Sequence, residues 1–449
     1  MQHETKIRII KRLRVRFSHV PCYLGRFASL VADHGGAFGE IRSVSTGRNT
    51  KVRDLDVMAP SEEAFDRLCG EIRKMPGIEL LDVKDVVEEH HLGGKISVQS
   101  KIPVRNVDDL GIVYTPGVAS ICRKIQANPE LAYKFTTIPN NVAIVTNGTA
   151  ILGLGDIGPV AGMPVMEGKA LLFQTLAGIN GFPILIDSKD PEVVIQTVKA
   201  IAPTFGAIKL EDIRAPECFA IEERLSELLD IPVLHDDQHG TAVVVLAALL
   251  SIAKHTHINL KRCSVGIIGL GAAGSGISGL LRAYGIGELY GADINPVMTE
   301  RFRERGGRPV DLAGVMAQAD IVVATTGVPR LINPKLVRPK QVVLALSNPD
   351  PEIEPDDALA AGAAFAADGK SVNNALAFPG LFRGALDARA RRFNDAMKLA
   401  AAKTIAEHAP DGDLVPDILQ PEVHRAVAAA VHEAALKTGA VRFASGAEG

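Results

Sequence analysis

From about residue 140 onward, short runs rich in β-branched residues alternate with helical stretches: NVAIVTN, TAILGLG, FPILID, AIKLED, IPVLHDD, SVGIIGLG, ELYGAD, DIVVATT and QVVLALSNP. Parallel strands need a crossover between them, and a helix is the usual one. The alternation therefore predicts an α/β chain with parallel sheets covered by helices. Ligands in such folds bind beyond the carboxyl ends of the strands, so the residues after each run carry the information about function. The composition agrees. With 42 Gly, no Trp and only 4% aromatics, the chain suits glycine turns and small-residue packing.

Two of the runs lead into a G-x-G-x-x-G match, GLGDIG at 153–158 and GLGAAG at 269–274. A pyrophosphate needs backbone N–H groups, a helix N-terminus and no competing anion. The second match meets these needs. Gly269, Gly271, Ala272, Ala273 and Gly274 follow the apolar strand SVGII, carry no charge and open the stretch SGISGLLRAYG, predicting a Rossmann nucleotide domain. The next strand ends in Asp293, at the spacing where an acid reaches the ribose hydroxyls. Ile294, Asn295 and Pro296 follow it with no adjacent base, so NAD is expected over NADP, with Arg301 and Arg303 the nearest alternatives for a phosphate. The first match places Asp156 where a pyrophosphate would lie, so it is expected to shape a substrate pocket. TTG at 325–327, with Thr326, and SNP at 347–349, with Asn348, end further strands and suit contacts to a nicotinamide or a small substrate.

The stretch PVLHDDQHGTA, 232–242, joins two apolar segments. A helix N-cap accounts for one aspartate. Asp236 and Asp237 together, with no Lys or Arg beside them, repel and call for a cation or a raised pKa. A second pair, Glu211-Asp212, ends the apolar run GAIKL. Strand ends of one parallel sheet lie side by side, so the two pairs are expected to face one point, a hard-oxygen site for Mg²⁺ or Mn²⁺. The alternative is one pair capping a helix and the other solvated. His235 and His239 have no cysteine at zinc spacing and read as supporting or helix-start residues.

The first 88 residues read as a separate unit, β-α-β-β-α-β, with strands in 11–18, 37–46 and 50–59, helices from 23 and from Ser61, and IELLDVKDVVEEHH as a last strand. This order is ferredoxin-like. With Gly25 between first strand and first helix, it resembles the ACT regulatory domain. The resemblance implies a small-molecule effector, or a role limited to dimerisation.

Several classes are not expected. A net charge of −3 gives no sign of nucleic-acid or anionic-membrane binding. Cysteines 22, 69, 122, 218 and 263 include no CxxC, pointing to reduced, buried thiols in a cytoplasmic protein. The N-terminal MQHETKIRIIKRLRVRF lacks a signal-peptide core. The longest apolar run, Thr241 to Ala253, is short for a bilayer span.

The motifs VYTPGVA (113–119), ILGLGDIG (151–158), GKA (168–170), LED (210–212), HDDQHGTA (235–242), GLGAAG, ALSNP (345–349) and NNALAFPG (373–380) stand in the order seen in malic enzymes. The resemblance runs over roughly 90–440 and is to the short bacterial form, since the chain stops before any phosphotransacetylase-like domain of the long form. It implies oxidative decarboxylation of L-malate to pyruvate and CO₂ with NAD and Mg²⁺ or Mn²⁺. By motif, Tyr114 would protonate the enolpyruvate carbon, and Lys169 would be the general base with Asp236 beside it. Glu211, Asp212 and Asp237 would hold the metal, and Asn348 and Asn374 the substrate. It further implies a homodimer or larger homo-oligomer. The expected organisation is 1–88 ACT-like, 89–258 catalytic, 259–390 Rossmann and 391–449 C-terminal helices. Animal-type members carry an Arg directly before ILGLGD for a substrate carboxylate. Here the residue is Ala150, and backbone N–H groups of the first glycine loop, or a residue from elsewhere, would have to replace it. The rival readings are a metal-dependent 2-hydroxy-acid dehydrogenase that releases no CO₂, and an effector-binding protein on a dead Rossmann scaffold.

Overall fold

The computed structural model describes residues 9–18, 23–151 and 153–442, in two units that divide between residues 97 and 98. In the first unit, β1 (Ile9–Ser18) alternates from Arg12 onward. Leu13, Val15 and Phe17 are buried, while Arg12 and Arg14 point to the other face and bind Asp56 and Asp54 of β3 (Thr50–Ala59). With β2 (Ala37–Thr46) and β4 (Ile78–Asp85), the antiparallel order is β2-β3-β1-β4, the ferredoxin-like arrangement. Helices Tyr23–Asp33 and Glu62–Ile72 supply Phe27, Val31, Phe65, Leu68 and Ile72 to the core of this unit. Ser61 caps the second helix by accepting from the Ala64 N–H.

One expectation fails here. The last strand stops at Asp85, and Val86–His91 is helical. Asp85 accepts from the N–H groups of Val87 and Glu88, and Glu88 and Glu89 lie in the first turn. Cap and acidic first turn override the β preference of two valines.

The second unit holds two parallel sheets. The first contains β5 (Asn141–Thr146), β6 (Asn180–Leu185), β7 (Ala207–Leu210) and β8 (Val233–His235) in the order β6-β5-β7-β8. The second contains β9 (Ser264–Ile268), β10 (Glu288–Ala292), β11 (Arg308–Pro309), β12 (Ile321–Ala324), β13 (Val342–Ala345) and β14 (Phe365–Asp368). Its order, β11-β10-β9-β12-β13-β14, is that of a Rossmann fold, with the strand order reversing between β9 and β12. The described residues of TAILGLG form no strand but an Ile151–Gly155 bridge, because Gly153, Gly155 and Gly158 take positive φ and turn the chain back on itself.

The 21-residue helix Asp236–Thr256 leaves β8 and packs along helices Ala272–Tyr284 and Asp395–Glu407. By length and composition it could cross a membrane, but its apolar stretch Val243–Leu249 is wholly buried in the core of the unit. It is longer than the apolar run marked in the sequence because it begins at the aspartates. At its crossing with Ala272–Tyr284, a Cβ on Gly276 would meet the Gln238 carbonyl oxygen at 2.2 Å. Gly276→Ala is therefore expected to destabilise by about 1–3 kcal/mol, the usual cost of overpacking. A urea or thermal midpoint equal to that of the unsubstituted chain would show that the helices can separate freely.

Of the cysteines, Cys69 and Cys218 are buried and free as expected, but Cys122 is free and exposed. Its helix, Val118–Ala127, buries no residue. Cys22 lies outside the described residues.

Candidate active site

β7 and β8 are adjacent and parallel, with Leu210 opposite His235. The two acidic pairs therefore leave the sheet side by side. The helix begins at Asp236, so both aspartates occupy its positive first turn. One carboxylate oxygen from each of Glu211, Asp212 and Asp237 lies within 4.8 Å of the others. The Asp212 N–H donates to Asp237 Oδ2 at 2.9 Å, and Asp212 itself has φ 53°, a left-handed conformation that turns the chain just past the strand end. Burial, and then the neighbouring Asp237 charge, push Asp212 up to about 7. Asp212 Oδ2 is buried and has no hydrogen-bond partner. Three hard oxygen donors, one of them orphaned, fit a divalent cation such as Mg²⁺ or Mn²⁺.

Lys169, on helix Met163–Ala177, donates to Asp236 Oδ2 at 2.9 Å and to Asn374 Oδ1 at 3.1 Å, and stands 3.0 Å from Glu211 Oε1. Side chains from three distant segments, Lys169, Asp236 and Asn374, thus meet at one nitrogen. Gly240 makes room for them, since a Cβ there would stand 2.1 Å from Asp236 Oδ1 and 3.3 Å from the Asn374 Cβ. Sequence reading missed Lys209. It is fully buried in β7, with Nζ 2.9 Å from the same Asp236 oxygen and also against Glu211. Burial lowers Lys209 to about 8 in spite of Asp236. Burial alone would raise Asp236, but the ammonium groups of Lys169 and Lys209 hold it below the usual carboxylate range. The signal was present: a lysine inside a short strand whose other residues are apolar.

Beneath the acids, His235 Nε2 lies 3.3 Å from Asp237 Oδ2. Glu222 accepts from the His235 N–H at 2.8 Å and from Gln238 Nε2 at 2.8 Å, and His239 Nε2 lies 3.1 Å from it. Both histidines support the helix start, as expected.

In the second sheet, Gly269 follows β9 with φ 90°, Gly271 precedes the helix, and Ala272, Ala273 and Gly274 form its first turn. A Cβ on Gly274 would fall 1.9 Å from the Gly269 oxygen, so only glycine allows this turn. Asp293 stands at the end of β10. Its Oδ2 accepts from the Leu270 N–H at 2.6 Å and its Oδ1 from the Asn295 N–H at 2.8 Å. The acid is thereby fixed beside the glycine loop, and each oxygen keeps a lone pair. Thr325, after β12, donates from Oγ1 to the Gly269 oxygen at 3.1 Å, so Thr326 lies at the point where strand order reverses. Arg301 stacks on Phe219 at 4.2 Å and Arg303 pairs with Glu300. Neither is directed at Asp293 by these contacts.

The first glycine loop meets the second sheet, with a Cβ on Gly153 3.5 Å from the Asn348 oxygen. Most of its described amides are bonded within the loop. The N–H groups of Ile151, Leu154, Gly155, Ile157 and Gly158 donate to carbonyls of Gly148, Ile151 and Gly155, and Asp156 pairs with Lys189 at 2.6 Å. These five amides are therefore taken up within the loop itself. The Ala150 N–H donates to the Asp212 oxygen. Tyr114 follows helix Val107–Val113 and is 64% exposed. Its side chain makes no hydrogen bond with Lys169, Asp236 or the three acids.

Malic enzyme family models match this chain in two places, the N-terminal domain over 93–194 and the NAD binding domain over 302–438. The NAD binding domain of D-isomer specific 2-hydroxyacid dehydrogenases matches 247–330, across the glycine loop. NAD-dependent malic enzyme 1 of Bacillus subtilis is 53% identical over 430 residues, 95% of this chain and 98% of that protein. The chain belongs to the malic enzyme family. NAD-dependent malic enzyme of Geobacillus stearothermophilus is 42% identical over 96% of this chain and 95% of its own. Among solved structures, malic enzyme from Pyrococcus horikoshii has a TM-score of 0.75 at 40% identity, covering 80% of this chain and 92% of that one. NAD-dependent malic enzyme from Thermotoga maritima has a TM-score of 0.73 at 38% identity, covering 78% and 99%. The acidic cluster and the lysine described above thus stand in a malic enzyme fold.

Proposed function

We propose that this chain oxidises and decarboxylates L-malate to pyruvate and CO₂ with reduction of NAD⁺. The observation that carries the reading is the meeting of Lys169, Asp236 and Asn374 with the Glu211–Asp212–Asp237 cluster. Glu211, Asp212 and Asp237 would hold a divalent cation, which would supply stabilisation of the negative charge that develops on the substrate oxygens, and bound NAD⁺ would supply the hydride acceptor. Lys169, held in place by Asp236 and Asn374, first gives up its ammonium proton and then, as the neutral amine, takes the hydroxyl proton. Tyr114 returns a proton to C3 after CO₂ leaves. Asn348 and Asn374 orient the substrate, and Gly269 to Gly274 with Asp293 and Thr326 receive the dinucleotide. The direct test is purified protein with L-malate and Mn²⁺, supplied with NAD⁺ or NADP⁺, following reduced nicotinamide, pyruvate and headspace CO₂. Reduced nicotinamide without CO₂ would favour the non-decarboxylating reading. No turnover would favour a dead scaffold, which the intact Lys169 and acid cluster speak against.

Preference for NAD rests on Asp293. A 2′-phosphate brings almost two negative charges against this carboxylate. At a few ångströms and an effective dielectric near 20, such repulsion is several kcal/mol before relaxation. Side-chain rotation and screening leave about 1–3 kcal/mol, or ten- to a hundredfold in favour of NAD⁺. Asp293→Ser should narrow that ratio in kcat/KM, and adding Ile294→Arg should narrow it further. A native protein more efficient with NADP⁺ would overturn the assignment.

The same reading takes residues 1–88 as an ACT-like regulatory domain with a small-molecule effector, on the strength of its strand order. It takes 89–258 as catalytic, 259–390 as nucleotide-binding and 391–449 as C-terminal helices, in a cytoplasmic homodimer or larger oligomer. Equilibrium dialysis against amino acids and organic acids, with and without residues 1–88, tests the effector.

A further inference from the structure

Glu352 is a fully buried carboxylate that the chemistry above does not use. No ion pair reaches it among the described residues. Instead, four donors from two strand-end loops converge on it. Its Oε1 accepts from the Thr326 N–H at 2.6 Å, from Thr326 Oγ1 at 2.9 Å and from Ser347 Oγ at 2.6 Å. Its Oε2 accepts from the Ser347 N–H at 3.3 Å. Ser347 Oγ in turn accepts from the Gly327 N–H at 2.7 Å, and Thr326 Oγ1 from the Val328 N–H at 3.1 Å. Each hydroxyl thus spends its one proton on Glu352 and takes a backbone proton in return. The loop after β12 and the loop after β13 are tied together through one side chain. The first of them reaches the glycine loop through Thr325 Oγ1 and the Gly269 oxygen.

We propose that Glu352 is a positioning residue for the dinucleotide. Its carboxylate holds Thr326 and Ser347-Asn348 in register with the glycine loop, at the edge where strand order reverses and a nicotinamide would lie. Two observations call for an anion here rather than an amide. All four partners are donors, so a glutamine would have to turn its NH₂ toward one of them. The charge is buried with hydrogen bonds alone to stabilise it, and such sites are retained only when every lone pair in use is matched. The inference rests on the reading of this edge as the cofactor site.

The test compares the native chain with Glu352→Gln, Ser347→Ala and the double variant. It measures KM for NAD⁺, NADH affinity by fluorescence, and Mn²⁺ affinity from the spin-resonance signal of the free ion. Losing one buried hydrogen bond to a charged group should raise KM for NAD⁺ and weaken NADH about tenfold in Glu352→Gln. The double variant should lose little more than the Glu352→Gln single, because both changes cut the same network. Mn²⁺ affinity should stay within about twofold, since Glu211, Asp212 and Asp237 belong to the other sheet. Glu352→Asp, which keeps the charge, should recover most of the NADH affinity. The proposal is overturned by native-like NADH affinity in Glu352→Gln, by strictly additive losses in the double variant, or by equal loss of Mn²⁺ and NADH, which would mark general loosening. A native chain that binds no NADH would instead sink the cofactor assignment itself.

Discussion

Asp237→Asn should lower malate turnover by about a thousandfold while leaving NADH binding intact. The substitution is nearly isosteric. The amide oxygen of the substituted side chain can still accept from the Asp212 N–H, the contact that Asp237 Oδ2 makes now at 2.9 Å. What changes is charge: two carboxylates instead of three face the cation site. A catalytic cation supplies several kcal/mol of charge stabilisation, and each 1.4 kcal/mol is a factor of about ten in rate. The nucleotide loop, on β9 and β10, is untouched. Excess EDTA should reproduce the defect in the native chain, and Mn²⁺ should reverse it there but not in the variant at the same concentration. Undiminished malate oxidation in EDTA would end the metal assignment.

The acids were legible in the sequence because adjacent carboxylates break an apolar pattern. Strand ends of a parallel sheet have few places to point, so LED and HDD could be brought together before any coordinates. The glycine loop with Asp293 was legible for a similar reason, since each residue has a steric or charge requirement that few others meet. Lys209 was overlooked although its buried strand position needs a counter-charge, and Glu211 and Asp236 were already in view. The errors share a cause. TAILGLG and the end of IELLDVKDVVEEHH carry β-branched residues in places where backbone signals decide otherwise, positive-φ glycines in one and the Asp85 cap in the other. Glu352 could not be read at all. Its partners Thr326 and Ser347 come from two separate strand-end loops, and only the fold brings those loops to one side chain. Tyr114 and Lys169 rested on resemblance alone. The fold then gathered Lys169 into the cluster and left Tyr114 exposed.

That difference between the two residues makes their variants informative as a pair. Lys169→Ala should fail at oxidation, because among the described residues the other nitrogen paired with Asp236 is Lys209, which is fully buried in β7. Tyr114→Phe should fail later, at protonation of C3. Each should cost on the order of 10²–10⁴ in overall rate, the usual span for a general acid or base. The two defects separate when oxaloacetate replaces malate. With Tyr114→Phe, CO₂ release should persist and enolpyruvate should accumulate, converting slowly to pyruvate. With Lys169→Ala, malate should be left unoxidised, with no burst of reduced nicotinamide in the first turnover. Lys169→Arg keeps the charge beside Asp236 and Glu211 but cannot lose its proton, so it should be folded and as slow as the alanine variant. Near-native malate oxidation by both Lys169→Ala and Tyr114→Phe would remove these residues from the mechanism, and a fast Lys169→Arg protein would move the base elsewhere, with Lys209 the nearest nitrogen to examine.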